Sequence, residues 1–191
     1  MVDISEAEKI PGWMAKEELI WLAERAQENS AIVEVGSFMG RSTRAICDHA
    51  KGTVFSVDTW QGCPEIRSTF TEAGGPAADF ATYKHFQSEH LDVRLFPMLA
   101  SSAAAASTFP VAMFDMVFID ADHAMHAVIT DICMWGRLIK EGGLICGHDY
   151  NNYKGVNFAV DSLIPTRRLV EGTSIWWANV HAGDPELRED K

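Results

Sequence analysis

The chain has 191 residues, 47% of them apolar and 23% charged, and carries a formal net charge of −11 from 16 basic and 27 acidic side chains. Such a length suits one domain with a sizeable core, and the composition excludes a low-complexity or repetitive chain. An acidic balance with scattered Lys and Arg argues against a nucleic-acid partner, and no apolar run reaches membrane-spanning length.

Cys47, Cys63, Cys133 and Cys146 form no C-x-x-C pair, and three of them sit among apolar neighbours. Buried thiols in a reducing compartment account for them. The opening Met-Val-Asp-Ile-Ser-Glu lacks the basic and apolar regions of a secretion signal, so the expected location is cytoplasmic.

Residues 14–29 place Leu19, Ile20, Leu22, Ala23 and Ala26 on one face and Lys16, Glu17, Glu24 and Glu28 elsewhere, which predicts an amphipathic helix. Next, Ala31 to Ser42 reads as a buried strand, a turn with Gly36 and Gly40, and the start of a helix running to about residue 50. A backbone turning sharply against a ligand has no room for a Cβ, and the helix behind it offers free N–H groups. The loop departs from the dinucleotide pattern G-x-G-x-x-G and lacks the Gly-Lys-Ser/Thr of a P-loop.

A strand over 53–57 ends at Asp58, and residues 61–76 read as an excursion rich in Gly, Pro and polar residues, compatible with a lid or a loose loop. A helix near 77–90, a strand near 92–97 and a short helix from Ser101 to Ser107 follow. Met116 to Ile119 predicts a strand ending at Asp120, and residues 124–139 a helix that Glu141-Gly142-Gly143 would end. Leu144 to Cys146 is the next strand, ending at Gly147-His148-Asp149. A helix near 155–164 and strands near 167–171 and 174–180 close the pattern. Alternating strands and helices imply a parallel sheet covered on both faces. Only Glu171-Gly172-Thr173 separates the last two strands, too few residues for a crossover helix, so they should pair antiparallel.

Ligands of such sheets gather at the carboxyl ends of strands, which here carry Glu34, Asp58, Asp120 and His148-Asp149. Asp58 can accept hydrogen bonds from both hydroxyls of a ribose, which supports an adenosine ligand without choosing among its forms. Strands four and five should lie about 4.8 Å apart, so Asp120 and Asp149 can converge on one cation. Mg²⁺ suits carboxylates and water, and a histidine ligand at His148 shifts the preference towards Mn²⁺, Fe²⁺ or Zn²⁺. Any one acid can instead cap the following helix, and Ser101 or Ser102 can do the same for theirs. Trp13, Trp60, Tyr83 and Trp176-Trp177 are candidates to line a pocket, with Trp135 and one of the final pair expected in the core.

With an acid two residues before its first glycine, the loop at Glu34-Val35-Gly36 resembles motif I of class I methyltransferases, which bind S-adenosylmethionine (SAM). Ile10-Pro11-Gly12-Trp13, Gly40-Arg41-Ser42, Phe118-Ile119-Asp120-Ala121-Asp122-His123, Asp131, Trp135, Gly142-Gly143-Leu144 and Gly147-His148-Asp149-Tyr150 extend the likeness over residues 10–180. Together they resemble a family of small bacterial class I SAM-dependent methyltransferases, related to catechol and macrolide-sugar O-methyltransferases.

The resemblance implies an α/β, Rossmann-like, doubly wound seven-stranded sheet, mostly parallel with one antiparallel strand near the C-terminus and helices on both faces. Residues 1–30 would form an N-terminal helical cap, 31–183 the SAM-binding domain and 184–191 a charged tail. It implies SAM held by Glu34, Gly36, Ser37, Gly40, Ser42, Asp58, Ser101 and Asp120, and a divalent metal (Mg²⁺ or Mn²⁺) on Asp120, Asp149 and His148. His123, three residues beyond Asp120, stands where the relatives place a basic residue and would be the general base. The chain departs at the third metal ligand, having Tyr150 where the catechol group has Asn and His148 where the sugar group has Glu. The expected reaction is metal-assisted O-methylation of a small hydroxylated acceptor, a sugar or a phenolic natural product. The partners expected are that acceptor, no nucleic acid and no membrane, with a homo-oligomer compatible. A non-catalytic SAM- or nucleotide-binding module and a nicotinamide-dependent oxidoreductase are the rival readings.

Overall fold

Neighbouring residues of the central strands enter different cores. In β1 (Ala31–Val35) and β4 (Phe114–Ile119), Val33, Val35, Val117 and Ile119 join Ile132, Trp135 and Val160 on one side of the sheet. Ile32, Met116 and Phe118 join Leu19, Leu22, Ala45 and Ile46 on the other. Strands with apolar side chains on both faces need helices on both faces, because neither side can be left to water. The computed structural model describes residues 2–62, 79–181 and 183–184.

α1 (Ser5–Glu8), α2 (Lys16–Ala26), α3 (Arg41–His49) and α4 (Phe80–Phe86) cover one face. α5 (Ser102–Ala106), α6 (Met125–Gly136) and α7 (Lys154–Leu163) cover the other. Leu19 and Leu22 of α2 are fully buried, each contributing about 1.5–3 kcal/mol by leaving water. The first two helices therefore share a core with β1 and α3.

With β2 (Thr53–Asp58), β3 (Leu95–Leu99), β5 (Ile139–Gly147), β6 (Arg168–Leu169) and β7 (Trp176–Asn179), the seven strands lie in the order β3-β2-β1-β4-β5-β7-β6. β1 to β5 are parallel, and β7 runs antiparallel to both β5 and β6. The short connection through Glu171-Gly172-Thr173 thus makes the hairpin its length requires. The sheet is the expected one: doubly wound, with one antiparallel strand near the end of the chain. Succession reverses at β1, whose neighbours are β2 and β4, and this opens a crevice above the ends of β1 and β4.

One boundary differs from expectation. α6 stops at Gly136, and Glu141, Gly142 and Gly143 lie within β5. Gly142 has φ +74, at a place where the pairing of β5 with β4 slips between Phe114 and Met116. A glycine pair marks a strand irregularity as readily as a helix end, because both use the left-handed conformation. Cys47 and Cys146 are buried and Cys133 half-buried, all as free thiols. Cys63 and most of the 61–76 excursion lie outside the described residues. Among the described residues no helix is long and apolar enough to cross a membrane.

Candidate active site

The glycine loop is shaped by two acids from two strands. After β1 the backbone turns at Gly36 with φ +90, and a Cβ there would fall 1.9 Å from the Asp120 backbone oxygen. Only glycine fits so close to the end of β4. Ser37 Oγ donates to Glu34 Oε2 at 2.8 Å, and Thr43 Oγ1 donates to the same oxygen. Glu34 is fully buried, and burial pushes its carboxyl up to about 7. From β2, Asp58 Oδ2 accepts from the Ser37 and Phe38 N–H groups at 2.9 and 2.8 Å, while Oδ1 accepts from Trp60 N at 2.7 Å.

Beyond the loop, the ends of β4 and β5 bring two acids and two histidines together. Asp120 and Asp149 follow strands paired through Ile119 and Gly147, and ligand atoms of Asp120, His123 and Asp149 all lie within 4.8 Å of one another. His123 Nε2 is 2.8 Å from Asp149 Oδ2, and Tyr153 stacks on its ring at 3.9 Å and 13°. His148 Nδ1 faces Asp149 Oδ1 at 3.4 Å and Asp120 Oδ1 at 3.8 Å. Its Nε2 makes a 3.0 Å ion-pair contact with Glu18 Oε2, too bent to count as a straight hydrogen bond. Asn152 Nδ2 donates to Asp149 Oδ1 at 2.8 Å.

The electrostatics follow from this crowding. Burial raises the Asp120 carboxyl, which Asp149 raises further against the pull of His148, to about 6. Burial opposes the charge on Asp149 too, yet His123, His148 and Asn152 hold it well below the usual carboxylate range. Asp149 raises His123 above its ordinary value. Burial opposes a charge on His148, but Asp149 and Glu18 outweigh it and push the ring up to about 10.

A third wall comes from the segment before α2. Arg41, the first residue of α3, donates from Nε to Met14 O at 3.0 Å and from Nη1 to Glu8 O and Ile10 O at 3.1 and 2.8 Å. That ties residues 8–14 beside the glycine loop. Trp13, 57% exposed, packs its ring 5.1 Å from that of Phe38. Loop, strand ends and wall enclose a cleft of about 840 Å³, whose lining includes Trp13, Glu18, Gly36, Ser42, Asp120 and Asp149.

A protein family described as a methyltransferase domain matches residues 33–150, which span the glycine loop and both acidic strand ends. The chain belongs to the methyltransferase domain family. Similar folds occur in a protein from Corynebacterium glutamicum (12% identity, 94% of this chain and 91% of that one, TM-score 0.69) and a methyltransferase from Geobacter sulfurreducens (11%, 88% and 80%, 0.63). An O-methyltransferase from Bacillus cereus in complex with SAH is similar too (14%, 91% and 86%, 0.62). At these identities the likeness is one of fold. No curated protein matches the chain. Family and sheet order together make this a class I SAM-dependent methyltransferase.

In this methyltransferase Gly36, Ser37, Ser42, Asp120, His123, His148 and Asp149 all line the cleft. Glu34, Gly40, Asp58 and Ser101 do not line it among the described residues. Glu34 and Asp58 hold the loop through its hydroxyl and N–H groups, and Gly40 sits at the start of α3. Ser101 caps α5, its Oγ accepting from Ala104 N at 3.3 Å, and Ser102 bonds Asp131 and Trp135 Nε1. Trp60 and Tyr83, expected as pocket candidates, are instead buried against each other, ring centres 4.7 Å apart. Trp135 and Trp176 are core, and Trp177 packs on Trp21. Glu18, Asn152 and Tyr153 were not legible as cleft residues. Glu18 stands three after Ala15 and accepts its N–H at 2.8 Å, but alanine has no capping side chain and so leaves no capping-box signal in the sequence.

Proposed function

We propose that this methyltransferase transfers the methyl group of SAM to a hydroxyl of a small acceptor, a sugar or a phenolic natural product, with a divalent cation at Asp120 and Asp149. The observation that carries this reading is the convergence of Asp120, His123 and Asp149 beside the Gly36 loop in one cleft. The donor set fits a cation, because ligand atoms of two carboxylates and an imidazole lie within 4.8 Å of one another, and carboxylates brought this close repel unless a positive charge lies between them. Two carboxylates completed by water suit Mg²⁺ or Mn²⁺. When bound, the cation would supply charge that acidifies and orients a substrate hydroxyl, and SAM supplies a methyl group already activated by its sulfonium.

The chain's own groups do the rest. Gly36, Ser37, Ser42 and the start of α3 would hold the cofactor, with Asp58 keeping the Ser37 and Phe38 amides in place. Asp58 is also the carboxylate we assign to the ribose. His123 is oriented by Asp149 on one nitrogen and Tyr153 on its face, so its Nδ1 is the atom left to take the hydroxyl proton. Trp13 and Phe38, with rings tilted 37° to each other, offer an apolar wall suited to an aromatic or sugar ring. Positioning the acceptor oxygen in line with the methyl carbon accounts for much of the catalysis.

The test is methyl transfer from labelled SAM to panels of sugars and phenols, with Mg²⁺, with Mn²⁺ and with chelator. Product that forms with metal and stops with chelator supports the reading. Undiminished transfer in chelator removes the cation, and transfer only to amines or thiols removes the hydroxyl acceptor.

A further inference from the structure

Glu18 belongs to α2, far in the chain from every strand end, yet its carboxylate is 6% exposed and stands at the floor of the cleft. Three groups from three parts of the chain meet it. Ala15 N donates to Oε2 at 2.8 Å, Ser174 N donates to Oε1 at 2.9 Å, and His148 Nε2 lies 3.0 Å from Oε2. The first contact is an ordinary helix-capping bond. The third is not needed for capping. It sets a carboxylate against a ring that is itself 8% exposed.

With Nε2 turned to Glu18, the nitrogen left for anything in the cleft is Nδ1. That atom is 3.4 Å from Asp149 Oδ1 and 3.8 Å from Asp120 Oδ1, on the side where the two carboxylates converge. A ligating histidine almost always gives its other nitrogen to a carboxylate or carbonyl, which fixes the tautomer and aims the lone pair. His123 approaches Asp149 from the opposite oxygen, Oδ2, with a ligand atom also within 4.8 Å of one from Asp120, so the two histidines face Asp149 from different oxygens.

We propose that Glu18 is a positioning residue for a cation site made of Asp120, Asp149 and Nδ1 of His148. It holds the His148 ring so that this nitrogen serves as the third protein ligand. The proposal rests on the cation-assisted reading given above. Because one donor is an imidazole nitrogen, the site favours Mn²⁺, Fe²⁺ or Zn²⁺ over Mg²⁺. Ser174 N and Ala15 N share the same carboxylate, so the hairpin of β6 and β7 and the wall before α2 are registered to the cation site through one side chain.

The experiment measures Mn²⁺ affinity of the full chain by electron paramagnetic resonance and SAM affinity by calorimetry, in wild type, Glu18→Gln, His148→Ala, the double variant and Asp149→Ala. Glu18→Gln is expected to weaken Mn²⁺ about 10–100-fold with SAM affinity unchanged. In the His148→Ala background it should add little, because both changes remove the same nitrogen. Unchanged Mn²⁺ affinity in Glu18→Gln, while Asp149→Ala loses the ion, overturns the role of Glu18 and leaves the metal site standing. An equal loss in the His148→Ala background overturns it as well, since Glu18 would then act by another route. A wild-type chain that binds SAM, takes up no Mn²⁺ and methylates in chelator overturns the cation reading itself. Should Glu18→Gln fail to fold, long-range proton–nitrogen NMR of the Zn²⁺-loaded wild type decides. A proton on His148 Nε2 with a metal-shifted Nδ1 is expected, and a proton on Nδ1 overturns the assignment.

Discussion

His123 Nε2 and Asp149 Oδ2 stand 2.8 Å apart, joining the segment after β4 to the end of β5. The contact orients an imidazole that no neighbour on its own segment holds in this way. If His123 takes the acceptor proton, His123→Ala lowers turnover about 10²–10⁴-fold and leaves SAM affinity unchanged. Asp149 raises the ring above its ordinary value, so the base is protonated at low pH and the rate rises as pH passes through a midpoint above that value. A pH–rate profile of wild type against His123→Ala checks this. An identical profile in both would leave proton removal to another group.

Asp149→Ala removes a carboxylate from the cation site. Chelator-stripped wild type is expected to take up about one divalent ion per chain, and the variant to lose that uptake with its circular dichroism unchanged. The ion competes with a proton on Asp120, whose carboxyl burial has raised to about 6. Affinity should therefore fall as pH drops through that region. Uptake that does not change between wild type and variant would place the ion elsewhere.

Asp58→Ala should weaken SAM and S-adenosylhomocysteine alike, by about 1.5–3 kcal/mol, the range for hydrogen bonds to a charged group. Two effects add here, a lost ribose partner and a glycine loop freed from the bonds to Ser37 and Phe38. Calorimetric titration showing wild-type affinity in the variant would withdraw Asp58 from cofactor binding.

Glu34 makes stability depend on pH. Its carboxyl is raised by burial from 4.5 to about 7 in the folded chain, so the fold binds a proton that the unfolded chain releases between those values. The associated stability is fully present below 4.5 and is lost as pH rises through about 7, a change of about 3 kcal/mol. Urea denaturation at pH 5 and pH 8 should show wild type less stable at the higher pH. Glu34→Gln, which keeps an acceptor for Ser37 and Thr43, should reduce that difference. Equal pH dependence in both chains would assign it to other groups.

The amino-acid pattern alone determined a good deal. Apolar runs at Ala31–Val35 and Met116–Ile119 demanded helices on both faces, and the short connection between the last strands demanded an antiparallel hairpin. Glycine at residue 36 marked the loop, and acids at 58, 120 and 149 marked strand ends, because both requirements are local to one turn of backbone. What the pattern could not decide was which distant side chains meet. Gly142-Gly143 gives the same local signal at a helix end and in a strand irregularity, and only pairing with β4 chose the second. Trp60 and Tyr83 are aromatic wherever they lie, and only the position of α4 put them in the core. Glu18 sits beside Glu17 on one helix, and nothing within that helix says which of the two faces a histidine. The strand order decides it: with β5 between β4 and β7, His148 and Ser174 converge on the start of α2, where a buried carboxylate is tolerated only because partners from separate parts of the chain arrive to meet it.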